Sequence, residues 1–447
     1  MNKILKSFYI YPLYIIIASL AMMLLLYAVY LIPVEKIKER QDSPYLTFLR
    51  MTKETYNPNF SGMKIDVATD ARMVNMAIMP RYKDTLQDAL LNPRMHYTAK
   101  PEYSLLFALN EKQLTNKKLA NLPVTLSDFQ KGVDLPNDVV RIDLYPRYWH
   151  SWLIFLKPLL MIFDIKQIKI IHLLLQIGLL LAVLCLMYKR LGFKYDLALI
   201  TALCFLNPLI TWQCLVFAID VNIMLLALLW VLLNKNPNNK YIFFITGTAI
   251  VFNFHCYPLL TLGIPLITHI CLYNRSFIEN IKCVLKNSLL WIFGYVGMQS
   301  TKWILASIFT PYNILAHSWQ HVLHRLRGNF EIGNYVGGIT YQNTLLHNFY
   351  EYQYKSTLYY LAFFILTLII AYFIKPYKIQ YNKKLFIILG IGLMPFVWYF
   401  VLMQHTFIHH FFTHKTLIVT IYALLTAIVC CMQNKTTKKI NILQYIH

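Results

Sequence analysis

Apolar residues along this chain collect into long, nearly unbroken windows, separated by short links rich in Lys and Arg. The windows lie near residues 9–33, 168–187, 195–212, 215–233, 241–257, 259–273, 287–308, 356–374, 385–403 and 416–432. Runs of this length suit helices that cross a hydrocarbon layer of ~30 Å. The pattern predicts an all-α polytopic membrane protein with about ten transmembrane helices. It forms a single integral-membrane domain over 1–447, without internal repeat, low-complexity segment or separable soluble domain.

Two stretches break the pattern, 34–150 and 309–355. With ten crossings, the basic groups Lys3/Lys6, Lys189/Arg190/Lys194, Lys235/Lys240, Arg275/Lys282/Lys286, Lys375/Lys378/Lys383/Lys384 and Lys435/Lys438/Lys439 all fall on one side. The positive-inside rule makes that side, and both termini, cytoplasmic, so the two long stretches become extracytoplasmic loops. Lys3 and Lys6 before an apolar run resemble a signal peptide, but the run continues past twenty residues without a small-residue cleavage site. It reads as a retained first helix.

Composition sharpens this reading. The chain is 57% hydrophobic and 14% charged, and its formal net charge of +22 resides mostly in the links, where it sets orientation and not nucleic-acid binding. All eight cysteines fall in apolar windows or cytoplasmic links, which leaves the long loops without a disulfide framework and the chain without thiolate zinc spacing. Fifteen of the twenty acidic residues lie in the first loop, counted through Asp164 at its membrane return. Long loops of this kind are usually functional. Inside it, ATDARMVNMAIM predicts a helix capped by Thr69 or Asp70 and stopped by Pro80, and TLQDALL predicts a second.

Candidate chemistry concentrates at the loop boundaries. If the helix already includes Asp66, the spacing of Asp66 and Asp70 puts two carboxylates on one face, where mutual repulsion makes one a better base; otherwise Asp70 simply favours a helix N-terminus. Arg147, Tyr148, Trp149 and His150 lead into the membrane return, a pattern suited either to an anionic head group and a stacked ring or to an interfacial anchor. Lys157-Pro158 interrupts the next apolar run and predicts a broken or re-entrant helix. Lys302 within the seventh helix, and Asp220 and Asn222 at the start of the fourth, predict a polar interior, with snorkelling and interhelical hydrogen bonds as the simpler accounts. His405 and His409 stand at i,i+4 and could hold a divalent metal with Asp66 or Asp70 as third ligand.

Four islands, TDARMVNMA, YPRYWHSWLIFLKPLL, GYVGMQSTKWILAS and QHTFIHHFFTHK, taken in order resemble the GT-C superfamily of polyprenyl-phosphate-sugar-dependent glycosyltransferases. The resemblance implies a GT-C-like fold with a cavity open to the outer leaflet and a catalytic carboxylate in the first loop. It implies a polyprenyl-phosphate-linked sugar donor and an envelope glycan, lipid or protein acceptor. By position it gives Asp70 the proton-acceptor role with Asp66 as a second carboxylate. Arg147, His150, Lys302, His405 and Lys415 are then expected on the donor phosphate, and Tyr148, Trp149 and His409 on the substrate. The chain departs from the pattern in lacking adjacent acidic residues early in the loop, and in carrying His414-Lys415 where Tyr-Arg is expected. A polysaccharide polymerase, favoured by Arg325 and Arg327 in the second loop, and a transporter or flippase of lipid-linked glycans are the rival readings.

Overall fold

The computed structural model describes residues 3–38, 67–79, 81–97, 139–206, 214–239, 241–252, 255–326, 339–351, 361–362, 364–369 and 377–434. Asp66 lies outside the described residues. The architecture is all-α apart from two short antiparallel strand pairs. Five described helical stretches are long and apolar enough to cross a membrane: Tyr9–Tyr30, Ile165–Leu191, Leu215–Leu233, Lys384–Val401 and His410–Cys431. The expected windows at 241–257 and 259–273 form shorter apolar helices, Tyr241–Phe252 and Leu260–Leu272. The window at 195–212 yields a helix of only 12 residues among those described, Phe193–Cys204.

The first long helix, α1 (Lys3–Tyr30), and the short α2 (Val34–Lys38) precede the first polar segment. That segment supplies α3 (Val67–Ala77) and α4 (Thr85–Leu91). Because α3 already starts at Val67, Thr69 and Asp70 lie in its first turn and are not its caps. Asp84 caps α4 by accepting the Gln87 N–H at 2.9 Å, and Asn92 closes it in the left-handed region at φ 49°. Strand β1 (Pro93–Tyr97) then pairs with β2 (Val139–Leu144), so the chain leaves and rejoins the polar segment at one place. The hydrophobic pattern did not predict this pair.

The return begins with α5 (Leu153–Leu160), eight residues with Pro158 inside. At 1.5 Å per residue it reaches about 12 Å, far short of a membrane span, in keeping with the broken helix expected from Lys157-Pro158. Asp164 and Gln167 then form a capping box that starts α6 (Ile165–Leu191). Next come α7 (Phe193–Cys204), α8 (Leu215–Leu233), α9 (Tyr241–Ala249), α10 (Leu260–Leu272) and α11 (Phe277–Phe309). Helices α12 (Ile314–Leu326) and α13 (Tyr341–Tyr350) belong to the second polar segment. The chain ends with α14 (Lys384–Gly392), α15 (Met394–Val401), the short turns α16 (Met403–Ile408) and α17 (His410–Thr413), and α18 (Ile418–Cys431).

Helix α8 occupies the centre, with both Asp220 and Phe217 fully buried, whereas α6 leaves Leu174, Leu175 and Leu181 exposed. An apolar exterior of this kind fits a lipid surround. Several basic clusters expected on one side meet at one end of the bundle. Arg190 donates to Leu232 O at 2.5 Å and Asn234 O at 2.9 Å, Arg275 to Pro237 O, Lys384 to Tyr273 O at 2.9 Å, and Lys194 to Met432 O. They satisfy carbonyls at or just beyond helix C-termini, where the helix dipole also favours cations.

Helices α9 and α11 approach closely through glycine. A Cβ on Gly294 would strike Phe244 O, and one on Gly247 would strike Trp291 O. Gly294→Ala is therefore expected to destabilise by about 1–3 kcal/mol, read as a lower Tm of the purified protein. Gly178→Ala, on the open face of α6 where nothing lies within 4 Å, should leave Tm unchanged or raised.

Candidate functional site

The ends of α1, α6, α8 and α11 opposite the capping cations carry the polar segments, and the predicted site residues fall there. Asp70 is fully buried. Its Oδ2 accepts the Leu215 N–H at 2.9 Å and its Oδ1 the Val216 N–H at 3.2 Å, and Lys169 of α6 lies 3.4 Å from Oδ2. The carboxylate thus caps α8 from another segment, satisfying donors that have no partner inside the helix. Lys302 is also fully buried. Its ammonium donates to Leu90 O at 2.7 Å and Asn92 Oδ1 at 3.3 Å, and sits 5.3 Å from the Trp149 ring centre. It therefore closes the C-terminus of α4, and Trp149 donates its indole N–H to Met298 O at 2.7 Å beside it. Lys302 Nζ and Trp149 Nε1 are thus engaged with acceptors of the frame, and the charge of Lys302 also reaches His150.

Tyr148 stands between two histidines, with ring centres 6.0 Å from His150 and 5.0 Å from His255. Both histidines hold left-handed backbones, φ 53° at His150 and φ 59° at His255. Non-glycine residues adopt this region at a cost, and such residues cluster at functional sites. His150 bonds through Nε2 to Tyr145 O at 3.0 Å, and burial followed by the charge of Lys302 holds it well below the usual histidine range. Among the described residues neither ring nitrogen of His255, both buried, has a hydrogen-bond partner.

Around this centre the cations converge. Arg147 is buried with its guanidinium carbon 5.3 Å from the Tyr145 ring centre, and its carbonyl is fixed by the Gln299 side chain and by Trp303 Nε1 at 2.9 Å. The charge of Arg147 reaches His317 and Arg325, and that of Arg325 reaches Tyr148. His405 and His409 have ring centres 4.7 Å apart. Burial, then the charges of Arg325 and His255, depress His405; burial, then His405, Arg325 and Arg72, depress His409. Residues from α3, the 145–150 turn, α12 and the 403–415 segment are thereby joined in one basic, histidine-rich cluster. Lys415 adjoins it: fully buried, 5.1 Å from the Phe217 ring centre, and within electrostatic range of Cys214, Cys256 and Glu351.

No family model, no curated protein and no solved structure matches the chain.

The geometry thus groups Arg147, Tyr148, His150, His405, His409 and Lys415, and sets Asp70, Lys302 and Trp149 into the supporting frame. Among the described residues no group of three or more His, Cys, Asp or Glu side chains is arranged to hold a metal, and His405 and His409 have no third ligand there. Sequence reasoning passed over His255, Arg72 and His317, and weighed Arg325 only for a polymerase. His255 lies in the apolar run FNFHCYP, where nothing but its polarity marks it. His410 and Glu351 were also missed: His410 Nδ1 lies 2.7 Å from Glu351 Oε1.

Asp70→Asn leaves one α8 amide facing an amide nitrogen and removes the partner of Lys169. A loss of about 3 kcal/mol is expected, seen as a fall in Tm that accompanies any fall in activity. A variant with unaltered Tm and abolished activity would instead give the carboxylate a chemical role. Lys302→Met strands the α4 carbonyls and should likewise cost about 1–3 kcal/mol in a thermal-unfolding measurement.

Proposed function

We propose that the chain is a GT-C-type membrane glycosyltransferase that moves a sugar from a polyprenyl-phosphate donor to an envelope glycan, lipid or protein acceptor on the outer face. The observation that carries this reading is the convergence of Arg147, Arg325, His405 and His409 around Tyr148, at the end of the bundle where polar segments meet apolar helices. Guanidinium groups gathered beside imidazoles make a positive environment that suits an anion. A phosphate at a membrane boundary, attached to a lipid and a sugar, matches all three features of the place. Guanidinium groups pair with its oxygens, neutral histidines donate N–H to them, and aromatic faces receive the sugar.

In the transfer, the acceptor hydroxyl attacks the anomeric carbon, the bond to the donor phosphate breaks, and the lipid phosphate leaves with the electron pair. Preorganised cations stabilise the charge that develops on this leaving group. On this reading Arg147 and Arg325 take that role. Asp70 acts here as a positioning group that holds α3, and with it Arg72, against α8.

The test is mass-spectrometric profiling of envelope glycans and polyprenyl-phosphate sugars in a strain lacking this chain. Loss of one glycosyl increment with accumulation of a lipid-linked sugar is expected, restored by the wild-type chain and at least tenfold less by Arg147→Gln or Arg325→Gln. Unchanged glycans, or a lipid-linked sugar that only changes leaflet without forming a modified acceptor, would replace transfer by transport.

A further inference from the structure

The transfer needs a group to take the acceptor's proton, and the pairing of His410 with Glu351 meets the requirements. His410 Nδ1 is 2.7 Å from Glu351 Oε1, and in the neutral ring the N–H at Nδ1 donates to that carboxylate. The tautomer is thereby fixed with the lone pair on Nε2. Among the described residues Nε2 makes no hydrogen bond, and the His410 side chain retains 26% of its exposure. Carboxylate, oriented imidazole and an accessible second nitrogen make a general base whose orientation is set by its partner.

The pair also lies beside the basic cluster. His410 follows His409 in the chain and acts on it electrostatically, and Glu351 acts on Lys415. Facing His410 are His347, with ring centres 5.2 Å apart, and His414, whose Nδ1 bonds to His410 O at 2.9 Å. Burial, then the charge of His410, holds His347 below the usual histidine range. Asp70, by contrast, is fully buried with both oxygens on backbone N–H groups.

We propose that His410, oriented by Glu351, is the proton acceptor for the incoming acceptor hydroxyl. This rests on the glycosyl-transfer reading above. The hydroxyl proton passes to His410 Nε2 as its oxygen bonds to the anomeric carbon. The bond from that carbon to the phosphate oxygen breaks, and the lipid phosphate departs as the anion. Glu351 stabilises the imidazolium, which later releases its proton to water.

The experiment uses membranes of the strain lacking the chain, which hold the accumulated lipid-linked sugar, mixed with purified full-length protein in proteoliposomes. Donor consumption and donor retained on the protein are both read by mass spectrometry. His410→Ala is expected to slow consumption by about 10²–10⁴-fold with retained donor within about twofold of wild type. Added imidazole should restore at least tenfold of the rate, and Glu351→Gln should slow it by about 10–100-fold. His410→Gln serves if the alanine variant fails to fold. A rate within about threefold of wild type, or a loss that imidazole does not restore, overturns the assignment while leaving glycosyl transfer standing. If wild-type protein consumes no lipid-linked sugar, the transfer reading falls and the assignment falls with it.

Discussion

A carboxylate buried away from water has to find donors, and the donors that Asp70 finds fix the relation of the first polar segment to the helices beneath it. Its two oxygens accept the Leu215 and Val216 N–H groups of α8, and Lys169 of α6 completes the set. Three elements from distant parts of the chain are thereby held in one register. Lys302 performs the complementary task with opposite sign, its ammonium on Leu90 O and Asn92 Oδ1 at the C-terminus of α4. An anion at a helix N-terminus and a cation at a C-terminus are what the backbone dipoles favour. These two anchors bring Arg72, Arg147 and Tyr148 to the same end of the bundle as the 403–415 segment.

The same physics separates two populations of cations. At the opposite end, Arg190, Arg275 and Lys384 donate to carbonyls at or just beyond helix C-termini, and their charge is absorbed by the backbone. At the site, Arg147 and Arg325 act on one another and on histidines, and the buried ammonium of Lys415 lies 5.1 Å from the Phe217 ring centre. Capping explains the first population fully. The second population gathers side chains of one sign from several segments, the arrangement on which the proposed anionic substrate rests.

Much of this was legible in the sequence. Apolar windows located α1, α6, α8, α11 and α18, because hydrophobic length is a one-dimensional property of the chain. The YPRYWHSW turn and the 404–415 segment stood out by composition, because Arg, His and aromatic residues at a membrane boundary depart from an ordinary anchor. The pairing of β1 with β2 was not legible, since it joins strands 42 residues apart between Tyr97 and Val139, with no turn signature to announce them. Nor was the fate of Asp70 and Lys302. A buried charge in a sequence announces only that it must be matched, and whether by substrate or by backbone is decided in three dimensions. His410 was hidden for the same reason, because its partner Glu351 lies 59 residues away in another segment.

The division between Asp70 and the His410–Glu351 pair follows from what each kind of work requires. An anchor must be saturated and dry, since every donor it gives up is a cost to the fold. A base must keep a lone pair free and reachable, since a proton can be taken only from a group it touches. Asp70 meets the first condition and His410 the second. The first polar segment is pinned by Asp70, and the later segments carry the oriented imidazole. On the proposed reading the described part of the first polar segment, held by Asp70, frames the site, and the proton transfer falls to residues of the second half of the chain.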